Sequence, residues 1–396
     1  MEREVGIMTP TRRDFLKTAG AVGAGIALGG ASACAPDSKS DDSAASTTTP
    51  ASKRLLILGG TGFIGPNMVR YAVERGHEVS IFTRGRSDAE LPEGVEHLIG
   101  DRNDDHTALE GRTWDAVLDN NAQDYRWVQK STELLKDAAE QYIFVSSISA
   151  YALEGGFGWG AKDRILMEPI IDESYERISP PEDWSDGDDA DYGLMKTLSE
   201  NIAHAAFPDR ATVVRPGLIV GPGDRTDRFT YWPVRIDEGG EVLAPGNPEH
   251  SNQIIDQRDL TEWIVRLAEH GTTGDFNGTG PGYRLTMGEM LEQIGTIASN
   301  QFELTWVPED FLEAQGVAPW SDLPTWIPGD PLMLVSVQAA VDAGLTYRPL
   351  ALTARDTLEW DKTRPAEERA NRRFGWSRKR EREVLDAWQA EQGSGQ

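Results

Sequence analysis

Cysteine is almost absent from this chain: the single one, Cys34, lies near the N-terminus. There is accordingly no intramolecular disulfide, no Cys-based zinc cluster and no thiol nucleophile in the body of the sequence. The histidines, at 77, 97, 106, 204, 250 and 270, lack the short helical spacing that metal ligands need, so no metal is expected. Positive charge is also scarce, with Lys+Arg 39 against Asp+Glu 65 and a formal net charge of -26 at pH 7. A surface this acidic repels polyanions, which counts against a nucleic-acid partner, although it does not identify a substrate. Long apolar runs are missing too. The nearest approach, residues 19–33, is short for a membrane span and carries five glycines, each of which weakens a helix. The length of 396 residues allows one large domain or two smaller ones with real cores.

The N-terminus reads as an address. Thr-Arg-Arg-Asp-Phe-Leu-Lys at residues 11–17 resembles the twin-arginine export signal, with Arg12 and Arg13 as the pair and the Ala/Gly-rich run following. Ala31-Ser32-Ala33-Cys34 then admits cleavage at a small-x-small site or lipid attachment at Cys34, although the Leu usual three positions before a lipidated cysteine is missing. Residues 35–52 are rich in Ser, Thr, Asp, Pro and Ala, the composition of a flexible linker. The resemblance implies the twin-arginine export machinery as a partner and a periplasmic or cell-surface location. Membrane contact would arise only through export or a lipid on Cys34.

From Lys53 onward the pattern is α/β. The apolar run Leu55-Leu56-Ile57-Leu58 predicts a buried strand. Helical spacing follows over 68–75 and a second strand over 78–83, which makes a βαβ unit. Strands over 95–99, 116–118 and 142–145, with a helix over 128–140, extend the alternation into a Rossmann-type, doubly wound parallel sheet. After Arg215-Pro216 the pattern breaks up, with helices near 261–269, 286–298, 334–343, 352–360 and 380–391. The expected division is a dinucleotide-binding domain over 53–220, a smaller, irregular substrate lobe over 221–365, and a charged helical segment over 366–396.

Between the first strand and helix lies Gly59-Gly60-Thr61-Gly62-Phe63-Ile64-Gly65. Gly59 permits the tight turn, Gly62 lets backbone approach a pyrophosphate, and Gly65 lets helix pack close to strand. Thr61, Phe63 and Ile64 belong to the same loop, whose N–H groups face the phosphates. At the end of the second strand, where an acidic residue would bind ribose hydroxyls, stands Thr83-Arg84-Gly85-Arg86. Arg84 there favours NADP over NAD, with NAD left open. Asp101 is placed either to accept from an adenine amine or to hold a turn. Tyr192 and Lys196, four apart, share one helical face, where the lysine cation favours the phenolate and makes Tyr192 a usable acid or base. Ser147, at a strand end, is placed to hydrogen-bond the reacting oxygen. The segment 223–232 is rich in Arg and aromatics, so Arg228, Tyr231 and Trp232 are candidates to line a sugar site, or else to anchor a packed loop.

Together the glycine loop, Ser147 four residues before Tyr151, and Tyr192 with Lys196 resemble the extended short-chain dehydrogenase/reductase superfamily, in its NAD-dependent epimerase/dehydratase family, over roughly residues 54–365. The resemblance implies Tyr192 as acid/base, Lys196 orienting the nicotinamide ribose and Ser147 assisting at the substrate oxygen. Arg215-Pro216-Gly217 and residues 255–260 look like the family's markers leading into the substrate lobe. Two departures matter. Ile148 and Ser149 stand where sugar dehydratases carry an Asp-Glu pair, which disfavours dehydration. Residues 155–191 are longer and more acidic than in a typical nucleotide-sugar epimerase.

Twin-arginine export carries folded proteins, so a cofactor can travel bound, into a compartment without a nicotinamide pool. Chemistry that returns its electrons suits that situation: transient oxidation of a sugar-like alcohol and re-reduction from the other face, an epimerisation. A reductase or dehydrogenase with exchangeable cofactor or a second substrate remains the alternative. A non-catalytic dinucleotide- or RNA-binding protein is another, since chloroplast stem-loop RNA-binding relatives share the Arg-Gly feature of Arg84 and Gly85, but the charge opposes RNA. Oligomeric state is left open.

Overall fold

The computed structural model describes residues 51–120, 122–153, 162–185 and 187–394. Arg12, Arg13, Cys34 and most of the linker lie outside them, as do residues 155–161 and 186 of the acidic stretch.

The apolar runs become strands because both of their faces are covered. In β1 (Arg54–Leu58), Leu55 and Ile57 pack into one apolar cluster while Leu56 and Leu58 pack into another on the opposite face. Each such side chain contributes roughly 1.5–3 kcal/mol by leaving water. The elements continue as α1 (Gly65–Glu74), β2 (Glu78–Thr83), β3 (Glu96–Ile99), β4 (Trp114–Asp119), α2 (Tyr125–Leu135), β5 (Ala139–Val145), α3 (Tyr192–Ala206) and β6 (Ala211–Val214). The expected helix over 128–140 is earlier and shorter than its apolar spacing implied. Asp124 caps it by accepting from Arg126 N–H, and residues from Ala139 are drawn into pairing with β4.

The next elements are β7 (Leu218–Val220), α4 (Tyr231–Asp237), β8 (Gly240–Pro245), β9 (Ile254–Asp256), α5 (Gln257–His270) and β10 (Gly274–Phe276). β10 joins the first sheet, whose order is β3-β2-β1-β4-β5-β6-β10 with every pairing parallel. Helices α1 and α5 cover one face, and α2 and α3 the other. The chain leaves for the second lobe after β6 and returns through α5 and β10, because the apolar face of α5, including Leu260, Ile264 and Leu267, fits against α1 and the sheet.

The lobe holds two short parallel pairs, β7 with β9 and β8 with β11 (Phe302–Val307). It also holds α6 (Met287–Gly295), α7 (Glu309–Ala314), α9 (Leu350–Thr363), α10 (Ala366–Ala370) and α11 (Arg378–Ser394), whereas α8 (Gln338–Asp342) packs through Ala340 into the apolar cluster of α1 and α5. The charged C-terminal segment is part of this lobe. Val384 and Leu385 of α11 enter its core, and buried Glu381 pairs with buried Arg235 at 2.7 Å.

Strand order reverses between β1 and β4, and in open α/β sheets the crevice beyond the carboxyl ends at such a point binds ligands. The glycine loop follows β1 there, and Ser147 follows β5.

Candidate active site

The glycine loop has the shape its sequence requires. Gly59 adopts φ +96°, a conformation costly for other residues. A Cβ on Gly65 would lie 2.4 Å from the carbonyl carbon of Gly60, so only glycine lets α1 start this close to the strand end. A Cβ on Gly62 would point into open space, with Gly59 O at 3.9 Å as its only near neighbour. α1 starts at Ile64 without a side-chain cap, whereas α2, α3, α5 and α6 are capped by Asp124, Asp191, Asp256 and Thr286. The first amides of a helix have no partner inside it, and here no side chain takes them. An uncapped helix start beneath a cradle that a Cβ would fill fits a dinucleotide pyrophosphate.

Three hollows adjoin along this loop. The first, about 230 Å³, is lined by Gly59, Thr61, Arg84, Arg86, Asp101 and Trp127, among others. The second, about 1020 Å³, shares Thr61 and Arg86 and adds Gly62, Phe63 and Arg225. The third, about 620 Å³, shares Phe63 and Arg228 with the second and adds Ile64, Ser147, Tyr192 and Lys196. The sequence-predicted residues thus run from Arg84, Arg86 and Asp101 in the first hollow, along the glycine loop, to Ser147, Tyr192 and Lys196 in the third. Asp101 accepts from Asn103 N–H at 3.0 Å and Nδ2 at 2.8 Å, both on Oδ1. These bonds, helped by the charges of Arg84 and Arg86, hold its carboxyl below the usual range. Among the described residues neither Arg84 nor Arg86 forms an ion pair.

Beside the third hollow Asp191 Oδ1 accepts from Leu194 N–H at 2.9 Å, and this cap starts α3 at Tyr192. Tyr192 is 57% exposed and faces the cleft. Lys196, one turn on, is buried, and its Nζ donates to Ala122 O at 3.2 Å and Val145 O at 3.1 Å. The ammonium sits 5.7 Å from the Tyr192 ring and 5.1 Å from that of Phe144. Ser147 is buried at the end of β5, where its Oγ accepts from Ser149 N–H at 3.1 Å and starts the 3₁₀ turn Ile148–Ala150.

Burial pulls the Lys196 ammonium down to about 8, against the opposing pull of Asp119 and Glu200. With the folded value below the ordinary lysine value, keeping this residue charged costs stability below about pH 8, and that cost fades as pH rises toward the ordinary value. The consequence for chemistry has the opposite sign, because the cation beside Tyr192 is lost as pH rises. We expect kcat/KM to fall above about pH 8, measured as a pH–rate profile, and Lys196→Arg to move that limb upward. A profile level through this range would remove the lysine charge from the chemistry.

Two candidates do not reach the cleft. Tyr231 and Trp232 are buried in the lobe core, paired edge-to-face at 4.9 Å, and Trp232 Nε1 donates to Pro324 O at 2.6 Å. They anchor a packed loop, because α4 turns its apolar face inward. Arg228 does line the cleft. Asn120, Gln253, Trp320 and Met333 line it as well and were not singled out in the sequence. Asn120 had a signal, since it directly follows a parallel strand at the switch point. The other three come from the lobe and carried none.

A doubly wound parallel sheet with an uncapped glycine-rich helix start at its switch point defines a dinucleotide-binding enzyme of the Rossmann type. Residues 55–278 match the NAD dependent epimerase/dehydratase family, and the chain belongs to it; residues 9–29 match the twin-arginine translocation pathway signal sequence. It is thus an oxidoreductase or isomerase with a nicotinamide dinucleotide cofactor and an export signal. The chain is 26% identical to the chloroplast stem-loop binding protein of 41 kDa b from Arabidopsis thaliana over 59% of its own length and 60% of that protein's. It therefore spans less than two thirds of that relative. It is 23% identical to an epimerase family protein of Bos taurus over 61% of this chain and 80% of the other. Among solved structures, the UDP-N-acetylglucosamine 4-epimerase from Methanobrevibacter ruminantium M1, in complex with UDP-N-acetylmuramic acid, shares the fold. Its TM-score is 0.58 at 17% identity, covering 78% of this chain and 98% of that one.

Proposed function

We propose that this is an exported epimerase-like enzyme that oxidises a sugar-like alcohol transiently and reduces the ketone again from its other face. The observation that supports it is the meeting of Ser147, Tyr192 and Lys196 in one cleft that adjoins the glycine loop. The bound dinucleotide supplies reversible two-electron oxidation and reduction, so the cycle closes without external reductant. Tyr192 removes the proton from the substrate hydroxyl and later returns one to the carbonyl oxygen. Lys196 keeps a positive charge behind the ring, and Ser147 holds the reacting oxygen by a hydrogen bond. Ile148 and Ser149, both at the cleft, offer no carboxylate for dehydration.

The cofactor we favour is NADP, since Arg84 and Arg86 line the first hollow, two cations to the single carboxylate of Asp101, and among the described residues neither is held in an ion pair. An Arg pair there takes a 2′-phosphate by charge-assisted bonds. RNA binding is disfavoured by the net charge of -26. Mass analysis of ligand released from protein recovered after export tests the closed cycle. We expect close to one NADP per chain, and the intact mass of the same sample reports whether Cys34 carries acyl chains. Protein that emerges empty and needs added cofactor would leave an ordinary reductase as the better reading.

A further inference from the structure

We infer that the substrate carries one oxyanion, a carboxylate or a phosphate monoester, and that Arg228 recognises it. This rests on the cleft being the substrate site, as proposed above.

The electrostatics of the cleft run against those of the chain. The chain as a whole carries -26, yet no Asp or Glu lines the cleft among the described residues. Its cations are Lys196 and Arg228. Lys196 is already committed, with its ammonium bonded to two backbone carbonyls. Arg228 is not. Its Nε donates to Thr226 Oγ1 at 2.9 Å and its guanidinium lies 5.4 Å from the Trp320 ring, which together fix the plane of the group. Among the described residues neither terminal nitrogen of Arg228 has a hydrogen-bond partner, and no carboxylate lies within ion-pair distance. The acid that feels its charge, Asp224, is fully buried, spends Oδ1 on Thr226 N–H and Oγ1, and is pushed toward its neutral form by burial.

A guanidinium held flat, with both terminal nitrogens unused, matches the two oxygens of a carboxylate or phosphate. The count of cations sets the number of charges. The cleft is otherwise walled by residues such as Pro319, Trp320, Ile327, Leu332 and Met333 and has no cation beyond Lys196 and Arg228; the other arginines near Arg228, which are Arg86, Arg225 and Arg364, line the adjoining hollow along the glycine loop. The geometry therefore favours a compact acid or monoester over a nucleotide-diphosphate sugar.

Calorimetric titration of the full chain loaded with NADP+ tests this, with glucuronate, glucose 6-phosphate, glucose and UDP-glucose as probes. Glucuronate or glucose 6-phosphate should bind at least about 10-fold more tightly than glucose, the range of a hydrogen bond to a charged group. The comparison of those two acids separates carboxylate from phosphate. Arg228→Met should erase the preference and leave NADP+ affinity within about twofold, while Arg228→Lys, which keeps the charge, should retain part of it. Equal binding of glucose, no binding of either acid, or tightest binding of UDP-glucose would each overturn the inference. So would loss of NADP+ affinity in Arg228→Met, which would assign the guanidinium to the cofactor phosphates. Because binding is read without turnover, the outcome is independent of whether Tyr192 performs the chemistry.

Discussion

Tyr192→Phe is expected to lower turnover by about 10²–10⁴-fold, the usual contribution of a positioned acid or base, while cofactor affinity stays unchanged. The substitution removes one oxygen and nothing that holds the fold. The ring remains to cover the Lys196 ammonium, and the start of α3 is set by Asp191 rather than by the phenol. Tyr192 is 57% exposed, so its loss of a hydroxyl does not leave a buried partner unsatisfied. A fall in rate with intact melting behaviour and intact dinucleotide binding would therefore report the chemistry alone. Turnover equal to the parent would take Tyr192 out of the mechanism.

The second large effect is on stability. Arg215 and Glu200 are both fully buried, and the guanidinium meets the carboxylate through Nε at 3.0 Å and Nη2 at 2.8 Å. The same group reaches Asp275 at 2.8 Å and the Tyr151 hydroxyl at 3.2 Å. One cation thus joins the end of β6 to α3, to β10 and to the turn after Ser147. Removing one member of such a pair strands the other in a medium that cannot solvate it, at a cost of about 3–5 kcal/mol. Glu200 would keep Arg177 and Ser146, so the lower end of that range is expected for Arg215→Ala. Set against the roughly 5–15 kcal/mol of a typical domain, this is a large fraction. A urea midpoint within experimental error of the parent would refute it. Arg215→Met combined with Glu200→Gln should recover part of the loss, because the fully buried stranded charge then disappears, while Asp275 keeps His204 and Arg177 loses its carboxylate.

What the sequence made legible was whatever is encoded over short distances. The Gly59 to Gly65 spacing fixes a turn and a helix start, and the Tyr192 to Lys196 spacing fixes one helical face, so both sets met in the fold as expected. Arg228, Tyr231 and Trp232 lie within five residues of one another, yet only the first faces the cleft. That division depends on how the turn carrying Arg228 and the start of α4 carrying Tyr231 and Trp232 are set against the core, a tertiary fact that composition cannot supply. Trp320 and Met333 reach the cleft from far along the chain for the same reason. The return of the chain through β10 was hidden as well. Three residues of strand carry too little pattern to be told from a loop, and what places them is the fit of α5 against α1.

That late return has a consequence for the order of events during synthesis. Until residues 274–276 emerge, β6 is an open edge whose backbone groups can pair with another chain. Residues 215–273 separate the two strands, an interval of roughly 3–12 s at about 5–20 residues per second. For a chain addressed to a pathway that accepts finished folds, the seal on the sheet is made only after most of the protein exists. Nascent chains halted before β10 should accordingly be the form most prone to aggregate, held back from export by the same missing strand.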